Sequence, residues 1–367
     1  VAEDPRTRIE RILGRELEAA CSDGVFPGAS AAVAVWLGAS WSYIEASAGV
    51  RFEGAGRVGP DTVYDLASLT KPLVANAALR LHQAGVFDLA ERVDVLVPEA
   101  DGLPIGERNW EELLSHRSGL AAWAPFYETL PAAPGSEEAR AWILAELLPR
   151  WERSQVGKAV YSDLGYILAG IGMTRATDQA LSQIVEERVT APLGIDTELF
   201  FGADRQDDGW KARSAPTGWS PWRQRILVAE VHDDNCAALG GVAGHAGMFG
   251  DAKSVARFGA ACVGGWHGRR GAADEELVRH STAVRAGGTL RLGWDGKALE
   301  GSAAGTSIDA DAFGHLGFTG TSIWCDPRRQ IVVVLLSNRV AVSDDNTAIR
   351  AFRPGFQDAV IAAFDGR

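Results

Sequence analysis

Apolar residues recur with a helical period at the start of the chain. Ile9, Ile12, Leu13, Leu17 and Ala20 form one stripe with Arg and Glu between them, which predicts a helix over residues 6–22. Gly24 and Pro27-Gly28 end it. Residues 29–37 then read as a buried strand, and residues 40–49 as a second. From Ser68 to about Phe200 helical patterns dominate. They fall at 72–84, 110–120, 137–148, 162–171 and 178–189, with a short Pro-stopped piece at 93–98. Residues 239–250 carry too many glycines for a regular element, and 252–261 is helical again. Strand patterns return at 313–316, 322–325 and 331–336, and a last helix is expected over 356–364.

Strand patterns at both ends with helices between them predict an α+β fold. Residues 1–60 plus 285–367 would form an antiparallel sheet flanked by the terminal helices. Residues 61–284 would form an inserted, mainly helical domain. Ser68 falls near the junction.

Composition narrows the partners more than the fold. The 367 residues are 46% hydrophobic and 23% charged, ordinary for a globular protein with a large core. The net charge of -12 argues against a nucleic-acid partner or an acidic membrane surface. No apolar run reaches transmembrane length. Cys21, Cys236, Cys262 and Cys325 lack metal-site spacing, so reduced thiols are the expectation. The chain opens Val1-Ala-Glu-Asp-Pro, without an initiator Met or an apolar leader. Two localisations fit that start: cytoplasmic, or periplasmic or secreted with a leader already removed.

Three short stretches carry candidate chemistry. In Ser68-Leu-Thr-Lys71 the spacing puts both side chains on one face of a helix's first turn. A serine hydroxyl needs a base beside it to act as a nucleophile, and a helix N-terminus favours negative charge developing there. The same residues also suit a helix cap and a solvated lysine. Tyr161-Ser162-Asp163 precedes a helical pattern, so Ser162 or Asp163 also suits a cap. Phe313-Gly314-His315-Leu316-Gly317-Phe318 is a glycine-bracketed strand that suits a bulged edge as well.

Together the three stretches resemble the serine hydrolases of the class C β-lactamase, D-alanyl-D-alanine carboxypeptidase and family VIII esterase group. That group carries Ser-x-x-Lys, Tyr-x-Asn and Lys/His-x-Gly in this order. Here they read Ser68-Leu-Thr-Lys71, Tyr161-Ser-Asp163 and His315-Leu-Gly317. The text around Leu113-Leu-Ser-His116-Arg-Ser-Gly119 and Pro192-Leu-Gly194 is similar too. The resemblance spans roughly residues 20–365, and implies a β-lactamase/transpeptidase-like fold.

The resemblance implies Ser68 as nucleophile, with Lys71 and Tyr161 sharing its proton and His315 from the third motif. The amides of Ser68 and Phe318 would form the oxyanion hole. Asp163, Gly317, Trp123, Tyr127, His232, Asp233 and His245 would support or contact the substrate. For the last three, loop-pinning hydrogen bonds are an equal expectation. No metal or organic cofactor is implied. His232 and Asp233 lack a third ligand of convincing spacing.

Two positions depart from the β-lactamase pattern. Asp163 stands where Asn is usual, and an ionised Asp only accepts hydrogen bonds. His315 stands where class C β-lactamases have Lys, which removes a permanent cation. The expected activity is therefore an esterase acting through an acyl-enzyme. A D-alanyl-D-alanine carboxypeptidase-like peptidase acting on cell-wall peptides comes next, and a β-lactamase after it. The substrate would be a small ester, an amide or a cell-wall peptide. The non-enzyme alternative is an inactive homologue that binds peptidoglycan fragments.

Overall fold

The computed structural model describes residues 4–52, 54, 56–269, 271 and 273–366. Six strands form the main sheet. They are β1 (Gly28–Trp36), β2 (Trp41–Gly49), β3 (Asp295–Gly296), β4 (Phe313–Leu316), β5 (Ser322–Asp326) and β6 (Ile331–Ser337). Their order is β2-β1-β6-β5-β4-β3, with every neighbouring pair antiparallel. The two ends of the chain thus meet in one sheet, with Val33 opposite Val333.

Side chains alternate across a strand, and that alternation builds two cores. Ala29, Ala31, Val33, Val35, Val333 and Leu335 face one side. There they meet Ile9, Leu13 and Leu17 of helix α1 (Pro5–Ser22), and Phe356, Val360 and Ile361 of the C-terminal helix, Ala348–Asp365. Ala32, Ala34, Val332, Val334 and Leu336 face the other side, towards the rest of the molecule. The sequence pattern placed helix Ala252–Trp266 with the inserted domain, but it packs directly on the sheet. Gly259 permits the close approach, since a Cβ there would lie 2.7 Å from Val332 Cγ1 and 2.9 Å from Ile323 Cδ1.

The helix expected over 110–120 ends at Leu114, and two further boundaries bear on the cleft. The last helix starts at Ala348 and runs through Pro354, because buried Ile349, Arg353 and Phe356 anchor it on both sides of the proline. The helix after Tyr161 spans Asp163–Thr177 and stops at Asp178, whose φ of 54° is left-handed. Among the described residues all four cysteines are free thiols. None of the described helices is long and apolar enough to cross a membrane.

Candidate active site

The polypeptide reaches Ser68 through a tight turn. Ala67–Leu69 is a single 3-10 turn that continues into helix Thr70–Gln83. Ala67 has φ 48°, an unfavourable left-handed conformation for a residue with a Cβ. Buried Asp65 holds the turn: its carboxylate accepts the Ala67 N–H at 2.8 Å and the His232 N–H at 2.6 Å. The third motif is tied to the same turn. Thr319 Oγ1 donates to Asp65 O at 2.8 Å, and Thr321 Oγ1 donates to Leu66 O at 3.0 Å. Gly317 lies where no side chain fits, since a Cβ would be 2.0 Å from Thr321 Oγ1 and 2.7 Å from Leu66 O.

Lys71 is fully buried under the cleft and does not reach solvent. Its Nζ lies 2.8 Å from Ser68 Oγ, 2.7 Å from Asp163 Oδ1 and 3.4 Å from the His245 carbonyl. Burial alone would lower its pKa, but Asp163 and then Tyr161 outweigh burial and raise it. The group that bridges Ser68 and Asp163 is therefore an ammonium at neutral pH.

Ser162 caps helix Asp163–Thr177, accepting the Gly165 N–H at 3.1 Å and donating to Ala121 O at 2.7 Å. The cap sets Asp163 as the first helical residue, with its carboxylate on Lys71. Lys71 Nζ sits 4.7 Å from the centre of the Tyr161 ring. Burial raises the Tyr161 pKa, and its contacts with Lys71 and Ser68 only partly offset that.

His315 closes the opposite wall, its ring centre 5.9 Å from that of Tyr161. Its Nδ1 is 2.9 Å from Leu316 O. A carbonyl only accepts, so Nδ1 carries the proton and Nε2 is left as an acceptor. Burial and then nearby Lys71 push the His315 pKa down to about 3. The imidazole is neutral, so it adds no cation to the cleft. No hydrogen bond within the described residues takes up the Ser68 or Phe318 N–H.

These groups line one cavity of about 760 Å³. Ser68, Tyr161, Asp163, His315, Gly317, Phe318, Trp123, Tyr127, His232, Asp233 and His245 all border it, and Lys71 lies beneath. The last three border the cavity and also pin loops. Asp233 caps helix Asp234–Ala238, and its carboxylate pairs with His245 Nε2 at 2.9 Å. His232 Nε2 is 3.1 Å from Asp344. Burial opposes protonation of His232, but Asp344 and Asp65 raise its pKa overall.

The sequence reading missed Arg339, Arg350 and Arg353, which border the same cavity beyond Phe318. Only the extended last helix brings Arg350 and Arg353 there, and no motif marks them. Buried Arg353 donates to the carbonyls of Gly317 at 3.2 Å and Thr321 at 2.8 Å. Burial, with Arg339 and Arg350 nearby, lowers its pKa to about 10.

The Beta-lactamase family model matches residues 15–353. The chain belongs to that family. A "Putative D-alanyl-D-alanine carboxypeptidase" of Escherichia coli K12 is 30% identical over 302 residues, 76% of this chain and 69% of that protein. Two solved structures share the fold. A β-lactamase from Sulfitobacter sp. EE-36 superposes with TM-score 0.72 at 18% identity, covering 97% of this chain and 99% of that one. EstCE1, described as a hydrolase with promiscuous acyltransferase activity, gives TM-score 0.73 at 18% identity over the same shares. The β-lactamase-family chain is thus a serine hydrolase of α+β fold.

Proposed function

We propose that this serine hydrolase cleaves carboxylic esters through an acyl-enzyme on Ser68. The observation that carries the reading is the 2.8 Å contact between Ser68 Oγ and Lys71 Nζ, in a cleft that also holds Tyr161. Ser68 Oγ attacks the ester carbonyl, and its proton passes to the Tyr161 phenolate oxygen. Lys71, held as a cation by Asp163, lowers the cost of charge on Ser68 and Tyr161 but is not itself the base. The amides of Ser68 and Phe318 stabilise the oxyanion. The C–O bond to the alcohol then breaks, and Tyr161 returns the proton to the departing alkoxide. Water attacks the acyl carbonyl, Tyr161 takes its proton, and Ser68 leaves with that proton. Neutral His315 favours a substrate with no carboxylate at that wall.

A second reading has its own observation. Arg350 and Arg353 border the cleft, and Arg353 has no carboxylate partner among the described residues. A peptide ending in a free carboxylate could engage that end, as in a D-alanyl-D-alanine carboxypeptidase. The test is a hydrolysis panel of p-nitrophenyl esters, an acyl-D-Ala-D-Ala peptide and nitrocefin. Ester hydrolysis well above the other two supports the first reading. Peptide hydrolysis above ester hydrolysis replaces it with the second.

A further inference from the structure

His116 lies outside the three motifs, yet it holds the Tyr161 segment from two sides. Its carbonyl accepts the Val160 N–H at 3.0 Å, and its Nδ1 accepts the Ser162 N–H at 2.9 Å. The residues on either side of Tyr161 are therefore fixed to one histidine. The His116 ring also stacks on the Tyr161 ring, with centres 4.8 Å apart and planes 29° apart. Tyr166 supports its other contact at 5.1 Å. Tyr166 is in turn fixed, its hydroxyl donating to Leu114 O at 2.8 Å.

The local backbone bears a cost for this arrangement. His116 has φ 60°, a left-handed conformation that disfavours residues with a Cβ. It follows helix Trp110–Leu114, whose capping box fixes the approach, with Asn109 and Glu112 satisfying each other's N–H groups. Strained backbone of this kind persists only where the surroundings over-determine it. Here the surroundings are the two hydrogen bonds, one to the His116 carbonyl and one to its ring, and the two tyrosine rings.

We infer that His116 is a positioning residue for Tyr161, holding the phenol against Ser68 and Lys71. The inference rests on the proposed role of Tyr161. The Nδ1 contact requires a lone pair, so the imidazole must be neutral. Burial keeps it so, and nearby Lys71, His315 and Arg117 add to the effect. A protonated ring would lose the Ser162 bond and set a second cation beside Lys71.

The test uses His116→Asn and His116→Phe in the intact chain. Asparagine tolerates a positive φ and keeps an acceptor oxygen while removing the stacked ring. Phenylalanine keeps a ring and removes the acceptor. Active sites are counted by end-point phosphonylation of Ser68 with a fluorophosphonate, fluoride leaving, so misfolded protein does not enter the rate. Each variant should lower kcat per titrated site about 10- to 100-fold, as expected for a small displacement of a reacting group. KM should stay close to wild type, and the rising limb of the pH–kcat profile should shift. In a Tyr161→Phe background His116→Asn should cost nothing further. Wild-type kcat per site and an unmoved pH limb in both variants would overturn the inference. So would an equal loss in the Tyr161→Phe background, because His116 would then act on something else. Full activity of Tyr161→Phe alone would remove the role of Tyr161, and this inference with it.

Discussion

Lys71 and Asp163 form an ion pair at 2.7 Å, with the lysine fully buried and the aspartate largely so. The Tyr-x-Asn pattern that residues 161–163 resemble has a neutral amide in that place, whereas here a carboxylate works against burial and keeps Lys71 charged. The cation it creates cannot accept the Ser68 proton until it has lost its own.

The pH dependence follows from that pair. Lys71 and Tyr161 both titrate above their ordinary values. Those ordinary values are about 10.4 and 10, so at pH 7 the base form of either is scarce. We expect kcat/KM on p-nitrophenyl acetate to rise about tenfold per pH unit from neutral pH into the alkaline range. Asp163→Asn removes a negative charge that raises the pKa of Tyr161, the proposed base, as well as that of Lys71. Its rising limb should move to lower pH by about 1–3 units. A profile that is flat between pH 7 and 9, or unmoved in the variant, would contradict this account.

The nucleophile has a direct chemical test. Ser68→Ala should lower the rate by at least ~10³, because it removes the covalent route and not one contact. Circular dichroism should be unchanged. Peptide mass mapping after a slow ester should find the acyl group on the peptide containing Ser68. An adduct on Ser115, Ser118 or Ser162 would refute the assignment.

Substrate choice at the third motif is tested by charge. His315 is neutral, with its pKa near 3. A lysine there would supply a charge-assisted hydrogen bond worth roughly 1.5–3 kcal/mol to a substrate carboxylate. His315→Lys should therefore raise kcat/KM for nitrocefin relative to p-nitrophenyl acetate, by about 10- to 150-fold. Asp163 opposes the gain by repelling an anion, so adding Asp163→Asn should give more than the product of the single effects. An unchanged ratio in both lysine variants would show that substrate carboxylates bind elsewhere.

The arginine end offers the complementary measurement. Arg350→Ala should lower kcat/KM for an acyl-D-Ala-D-Ala peptide by about tenfold and leave a neutral ester unchanged. Equal losses on both substrates would indicate a general disturbance of the cleft.

Acid stability should report the buried imidazoles. The folded His315 pKa is about 3, below its unfolded value of about 6.5. Between those values the unfolded chain binds the extra proton, so stability falls as pH falls. The slope from one such group approaches about 1.4 kcal/mol per pH unit. His116 is depressed as well and acts in the same direction. Denaturant melts from pH 7 to 4 should show the loss, and His315→Asn should make it shallower by up to one proton's worth. A variant with the wild-type slope would show that His315 does not contribute.

Local pattern determined a good part of this protein. Near-continuous apolar runs at residues 29–35 and 331–336 specified buried strands, and the structure sorts their odd and even positions into two cores. The three short motifs, read together, located the cleft, because each requires particular side chains at fixed spacing on its own element. Tertiary structure decided what spacing does not encode. The protonation of Lys71 depends on a partner 92 positions away and on burial, and neither is visible at Ser68-Leu-Thr-Lys71. The neutrality of His315 comes from burial beside that same cation. Arg350 and Arg353 reach the cleft because packing carries the last helix through Pro354, where a local rule ends it. His116 reads as part of a short helix over 110–120 until the fold brings residues 160–162 onto it. Local propensity acts over a few residues, whereas desolvation and charge pairing are set by whatever the whole fold brings within a few ångströms.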